Sequence, residues 1–412
     1  MAKLTPVLKW SVFTLLATLL AWRMMVLDLS AFYAGQREPE AALTALAWDS
    51  DQPTALADRA HALLATDPAE AETLLRQALY QNPADAKLYL ALADLRQRKG
   101  EMEQAALLVS IAGELAPMNA GVQLRAADFW LKQGQLQKAL AGIDIALSLR
   151  PSLGANLYPL LLKLVEDPRA RPLLASFYRN QPTWWLDFFR YTAANAGSLD
   201  TLRALYQEQL KQGGKPSAEQ QQIYLTRLQK EGQWLELYFN WLNTLEPEQL
   251  KAVGYLYNGN FELPFSHQGF DWQAPKVVGV VVETAPTYGS SGKKALHIQF
   301  QGLRVAFSHL YQYLLLDPGR YRLQGRVRVD SLQTERGVQW NVSCIGRDSK
   351  PLGLSERFLG TTEWQPFAVE FTVPVNGCRV QRLQLVLLGR ATLDFEAQGS
   401  IWFDDMSITH VD

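Results

Sequence analysis

Alternate positions in the last third of the chain carry an unusual set of polar side chains: His297, Gln299, Gln324, Arg326, Arg328, Gln339, Asn341 and Gln384. Planar amides and guanidinium groups hold hydrogen-bonding atoms side by side, so they match vicinal hydroxyls, which is what a glycan asks of a binding face. A sugar ring also wants an aromatic platform, and Trp272, Tyr288 and Trp364 stand in turn-rich contexts that would leave a ring exposed. The candidate glycan site is therefore Trp272, Tyr288, Gln324, Arg326, Gln339, Asn341, Trp364 and Gln384. An ordinary solvated sheet face reads the same way residue by residue. Trp340 shares its face with Val342 and Cys344 and is assigned to the core.

Catalysis finds little support in the same stretch. GSSGK at 289–293 lacks the four-residue gap of a phosphate loop and precedes a strand rather than a helix. No GxSxG is present, and His297 and His309 have no evident Ser or Cys partner. A glycosidase needs two carboxyls facing one cleft. Asp404 and Asp405 are consecutive on a strand and should point to opposite faces, which spoils them as a pair. The expectation is a protein that is not an enzyme.

These residues need strands to hold them. From about Tyr255 the apolar spacing switches to two, with PG and NG turns at Pro318-Gly319 and Asn376-Gly377. LHIQF (296–300), YRLQGRVRV (321–329), FAVEFTV (367–373), LQLVL (383–387) and IWFDDMSIT (401–409) alternate apolar and polar residues, which predicts an antiparallel β-sandwich. The stretch opens with NGNFELPF (258–265) and GFDW (269–272) and closes with WFDDMSI (402–408), with GSSGKKAL and DPGRYRL between. In this order and spacing it resembles the jelly-roll carbohydrate-binding modules attached to bacterial glycan-active enzymes, over roughly 255–412. The resemblance implies a structural calcium between the opening and closing segments, with Glu262 and Asp404 as ligands. Otherwise Asp404 caps a strand and Glu262 is solvated, and no cofactor is required.

Further upstream, Pro83, Pro117 and Pro151 are spaced 34 residues apart. Gly100 and Gly134 precede the last two by seventeen residues, and alanines recur at fixed offsets (Ala93, Ala105, Ala112; Ala127, Ala139, Ala146). Counting back from Pro83 recovers Ala71 and Ala78. Small residues at helical spacing let two helices approach closely, a glycine closes the turn, and a proline ends the second helix. Over 52–151 this resembles the tetratricopeptide repeat family, whose solenoids bind proteins along one face. Tyr89 suits the bulky aromatic position of its first helix; Gln123 does not, and Arg59 stands where a small residue belongs. Beyond Pro151 the register is lost but helical spacing persists to about 250, which predicts divergent hairpins. Trp184, Trp185, Phe188 and Phe189 within it read as core at helical spacing.

A chain of 412 residues with 48% hydrophobic and 20% charged residues is globular and too long for one core. A net charge of −1 with no basic run excludes a nucleic-acid partner, and five histidines with two cysteines supply no zinc framework. Trp10–Leu27 is apolar apart from Arg23 and follows Lys3 and Lys9. At 1.5 Å per residue it spans ~27 Å of helix against a hydrocarbon core of about 30 Å. A signal anchor, a cleaved signal peptide and a buried soluble helix compete, and bulky residues after the run speak against cleavage. The anchor reading puts the membrane at residues 8–27, the N-terminus in the cytoplasm of a bacterial inner membrane, and the bulk of the chain in the periplasm. There Cys344 and Cys378 are able to pair, although nothing in the sequence puts their strands side by side.

The expected class is α+β multidomain: a membrane helix (1–30), an all-α tetratricopeptide-type solenoid (31–252) and a β-sandwich, the jelly roll (253–412). The pairing of a protein-binding solenoid with a glycan-binding-like module is similar to repeat proteins associated with exopolysaccharide machinery, which implies a scaffold with protein and polysaccharide partners. The alternative is a pure protein-assembly factor whose jelly roll docks on a protein and binds no sugar.

Overall fold

A computed structural model of the chain describes residues 6–346 and 350–411, with side chains from Trp10 onward. Lys3 and the side chain of Lys9, expected to flank the apolar run, lie outside the described residues. The described residues form an N-terminal apolar helix, further helices and then two antiparallel sheets. They divide into two compact units, residues 1–192 with 204–215 and residues 193–203 with 216–412.

In the first unit, α1 (Pro6–Gly35) does not stop where its apolar run does. Its last turns bury Val26 and Ala34. Ser30 Oγ donates to Ala45 O at 3.0 Å, on α2 (Pro39–Trp48). Three helical hairpins follow: α3 (Pro53–Leu63) with α4 (Pro68–Gln81), α5 (Ala86–Arg98) with α6 (Met102–Leu115), and α7 (Ala120–Lys132) with α8 (Leu136–Leu149). Each second helix ends two residues before its repeat proline. Gly100 and Gly134 take the left-handed conformation the inner turn needs (φ 80° and 71°). Every repeat alanine named above is buried. Side chains of Asp67, Asp85 and Asn119 cap the helices that follow them.

Tyr89 Oη donates to Pro83 O at 3.0 Å, tying one repeat to the end of the last. Gln123, out of place by the pattern, has its own use: its Nε2 donates to Gly113 O (2.9 Å) and Ala116 O (3.2 Å). These are carbonyls that the end of α6 leaves without helical partners. The same backbone makes Gly142 indispensable. A Cβ there would stand 2.9 Å from Gln123 O and 3.1 Å from Ala127 Cβ. Gly142→Val is expected to force α7 and α8 apart and cost ~1–3 kcal/mol, read as a lower Tm by circular dichroism; an unchanged Tm would contradict this packing.

Glu72 on α4 joins two hairpin helices electrostatically. Its carboxylate meets Arg96 (2.5 Å) and Lys99 (2.7 Å) of α5 and Arg76 (2.9 Å) of its own helix. Lys99 foremost, with Arg76 and Arg96, holds its pKa down to about 2 from an ordinary 4.5. The stability it adds is therefore fully present above pH 4.5 and lost as the pH falls toward 2. Thermal melts of Glu72→Gln should lie below wild type at pH 7 and converge with it as the pH drops through that window.

Past α8 come α9 (Gly154–Glu166), α10 (Ala175–Asn180), α11 (Trp185–Asn195) and α12 (Leu199–Lys211). Trp184, Trp185, Phe188 and Phe189 are all buried here. Two indoles find acceptors, Trp184 Nε1 on Asp144 Oδ1 (2.8 Å) and Trp185 Nε1 on Gln209 Oε1 (3.0 Å). They form a core, not a ligand box.

The second unit holds α13 (Ala218–Lys230), α14 (Trp234–Leu242) and the short α15 (Pro247–Leu250). These helices group with the sandwich in one compact unit. The reason is aromatic packing: Trp234 meets Tyr313, and Trp241 meets Tyr257 and Phe270, at 5.0–5.8 Å between ring centres.

Nine strands follow among the described residues: β1 (Val280–Ala285), β2 (Ala295–Arg304), β3 (Leu310–Leu314), β4 (Gly319–Thr334), β5 (Val338–Cys344), β6 (Pro351–Leu354), β7 (Gly360–Val373), β8 (Gln381–Leu387) and β9 (Glu396–Val411). They form a five-stranded sheet, β1-β2-β9-β4-β7, and a four-stranded sheet, β3-β8-β5-β6. Apolar residues of alternate positions fill the space between, including Leu296, Ile298, Leu323, Val327, Trp340 and Phe403. Cys344 and Cys378 are joined in a disulfide, linking the end of β5 to the segment before β8.

Candidate glycan-binding face

The structure divides the eight candidate residues among three places. Trp272 is 0% exposed, which removes it from any binding surface. Its ring packs against Phe261, Phe265 and Trp340, and its Nε1 donates to Asn258 O at 3.2 Å. The loop carrying it is wound inward by its own polar groups. Asn258 exchanges side-chain bonds with Leu263 N and O, and Asp271 accepts from Ser266 and from Trp272 N. Burial pushes the Asp271 carboxyl above its ordinary value.

Gln339, Asn341 and Gln384 fall on the outer face of the four-stranded sheet, where Asn341 and Gln384 are register partners. Gln339 and Gln384 are only 4% and 6% exposed, and Gln384 Nε2 donates to Ser308 O. They are structural rather than available to a ligand in this conformation.

The remaining four lie on the outer face of the five-stranded sheet or beside it, and the register explains what surrounds them. Glu283 on β1 pairs with His297 on β2, His297 with Trp402 on β9, and Trp402 with Arg328 on β4. One transverse row thus holds a carboxylate, an imidazole, an indole and a guanidinium. The His297 ring stacks on Trp402 with centres 4.0 Å apart, and its Nδ1 lies 3.2 Å from Glu283 Oε1. Arg328 stands 4.9 Å from the Trp402 ring centre and 4.2 Å from that of Tyr288. Its Nη1 donates to Thr287 Oγ1 (2.8 Å) and its Nη2 to Asp330 (2.9 Å). Asp330 also accepts from Trp402 Nε1 at 3.0 Å.

Tyr288 completes the stack on the solvent side with 63% of its surface exposed. It is nevertheless anchored, because Trp364 Nε1 donates to Tyr288 O at 2.7 Å. Gly289 has φ 69°, and a Cβ there would come within 2.8 Å of Trp364. Arg326 lies 5.2 Å from the Trp364 ring centre, and Gln324 is exposed two residues earlier on β4. A held, exposed ring over one guanidinium group is an arrangement that suits a glycan platform. Composition singled out Tyr288, Trp364, Gln324 and Arg326. Trp402 was missed, because only the β2-β9-β4 register reveals that it shares their face.

Glu262 and Asp404 do converge, but on a turn. Main-chain N–H groups of Lys293 and Lys294 donate to Glu262 Oε1 at 2.6 and 2.9 Å. Ser291 N donates to Asp404 Oδ2 (3.0 Å) and Asp405 N to Asp404 Oδ1 (2.8 Å). Burial pushes the Asp404 carboxyl above its ordinary value against these bonds. Four main-chain amides thus donate to these two carboxylates, and no group of three or more His, Cys, Asp or Glu side chains is placed to hold a cation among the described residues. This donor set does not fit the calcium that the resemblance implied.

The two aspartates also depart from strand alternation. The β4-β9 register shifts between Arg326 and Gln324, and Asp405 has φ 52°. This bulge turns both carboxylates to one residue: Asp404 takes Ser291 N, and Asp405 accepts from Ser291 Oγ. Arg326 closes the cluster, 3.3 Å from Ser291 Oγ and 3.6 Å from Asp405.

No protein-family model and no curated protein matches the sequence. Among solved structures, a family 4 carbohydrate-binding module is similar at 15% identity and TM-score 0.29, over 38% of this chain and 99% of its own. TmCBM61 in complex with β-1,4-galactotriose is similar at 20% identity and TM-score 0.26, over 39% and 99%. MamA is similar at 14% identity and TM-score 0.25, over 42% and 88%. At these scores the likenesses carry no argument.

Proposed function

We propose that this chain is a non-catalytic, membrane-anchored scaffold whose helical repeats bind protein partners and whose sandwich binds glycan through the Tyr288 platform. The observation that carries the glycan reading is the exposed Tyr288 ring, stacked on Arg328 and pinned by Trp364. Exposed aromatics cost little conformational entropy to present when the backbone beneath them is fixed. The anchor rests on Trp10–Gly35, a helix long and apolar enough to cross a membrane by length and composition, with 6% of its most apolar window buried. In this reading the N-terminus is cytoplasmic and the repeats and sandwich are periplasmic, in bacterial polysaccharide assembly or export. The disulfide between Cys344 and Cys378 accords with an oxidising compartment.

The test is a glycan array probed with the detergent-solubilised full chain, followed by titration of the best binder against Tyr288→Ala. Saturable binding that the variant loses supports the reading. Absence of binding to every glycan, with a protein partner co-purifying from solubilised membranes, replaces it with the protein-assembly role.

A further inference from the structure

The polar rows of the five-stranded sheet do not stop at Trp402. The segment 286–294, which joins β1 to β2, crosses the outer face of that sheet. Thr287 meets Arg328 on β4, Tyr288 O meets Trp364 on β7, and Ser291 meets Asp404 on β9. It walls one end of the face and presents Tyr288 from the wall. In front of it lies the Trp402 row, then Gln299, Ser400 and Asp330 in register, then Gln301, Gln398 and Gln333. Four residues along β9 at about 3.3 Å each put this last row ~13 Å from Trp402.

The glutamines differ from their neighbours in being unspent. Gln299, Gln301, Gln333 and Gln398 are exposed, and no hydrogen bond engages their side chains among the described residues. The charged groups of these rows are turned to partners instead. Glu283 meets His297, Asp330 meets Arg328 and Trp402, and Arg304 meets Glu396 in the row past the glutamines. What the face leaves open is therefore uncharged. Each glutamine brings donors and an acceptor in one plane, which adjacent sugar hydroxyls can satisfy. Lys and Glu would keep a merely solvated face soluble at least as well.

We propose that the glutamine rows are further subsites of the Tyr288 platform, and that the ligand is a linear, uncharged polysaccharide lying along β9 from Tyr288 over Trp402 to Gln398. The inference rests on the glycan reading above. A single terminal sugar would leave the glutamine rows unused. An acidic chain would lose hydration over rows whose guanidinium groups are already paired, and would gain no free counter-charge.

Calorimetric titration of the detergent-solubilised full chain with the di- and hexasaccharides of β-1,4-glucan, β-1,4-mannan and α-1,4-galacturonan tests this. Affinity for a neutral chain is expected to rise at least tenfold from disaccharide to hexasaccharide, with the galacturonan hexasaccharide at least tenfold weaker. Gln398→Ala should weaken hexasaccharide binding about fivefold, the worth of one hydrogen bond, and leave disaccharide affinity and Tm unchanged. Tyr288→Ala should weaken both lengths. Tyr288-dependent binding that is equal for both lengths, undiminished in Gln398→Ala or strongest for galacturonan overturns the proposal and leaves the glycan reading standing. Binding that Tyr288→Ala leaves intact overturns both. Absence of binding to all three chains overturns the proposal, and the glycan array then decides the reading alone.

Discussion

Trp272→Ala should lower the Tm of the sandwich-containing unit by about 10 °C while leaving the Tyr288 face able to bind. Truncating a fully buried tryptophan costs ~3–5 kcal/mol through lost burial and the cavity left behind. In a domain of this size each kcal/mol is worth about 2–4 °C. Asn258 O would lose the indole donor at the same time, and three rings would lose a shared neighbour. Differential scanning calorimetry and glycan titration of the same preparation separate the two effects. A variant with normal Tm but no binding would mean that Trp272 is a platform after all, and that the inward winding of 258–274 is mistaken.

That case shows where periodicity stops being informative. Repeats and strands announce themselves because a buried face imposes a fixed spacing, 34 residues for the hairpins and two for LHIQF or FAVEFTV. The alanines, the two turn glycines and the sandwich core could be read on that basis. Trp272 could not, since its exposure depends on irregular loop geometry: Asn258, Phe261 and His267 all adopt positive φ. Glycine, proline and polar residues around it suggested solvent, yet the polar groups are the caps that hold the loop shut.

The candidate site was legible by residue type but not by place. Gln324, Arg326 and Arg328 alternate with core residues on one strand, so their common face follows from sequence. Which strands lie beside it does not, because the sheet order β1-β2-β9-β4-β7 joins segments about a hundred residues apart. Gln339 and Gln384 were drawn in by composition alone and belong to the other sheet. The Asp404-Asp405 pair was misjudged for a different reason. Alternation holds only for regular strand, and a bulge with one left-handed residue cancels it.

Tyr288→Ala should weaken glycan binding roughly thirtyfold with no change in Tm, since an exposed aromatic anchor at a binding surface is worth ~2 kcal/mol. The ring contributes little to folding at 63% exposure, so the loss would fall on binding alone. Trp364→Phe provides the complementary measurement. It keeps an aromatic ring beside Arg326 but removes the donor to Tyr288 O, so Tyr288 remains present and loses its anchor. If pre-organisation matters, this variant should lose about fivefold in affinity, the worth of one hydrogen bond of ~1 kcal/mol. Equal affinities for wild type and Trp364→Phe would mean that contact area alone decides binding. Equal affinities for wild type and Tyr288→Ala would remove the five-stranded face as the glycan site. Any binding that persisted would then have to use the outer face of the four-stranded sheet, where Gln339 and Gln384 would first have to become exposed.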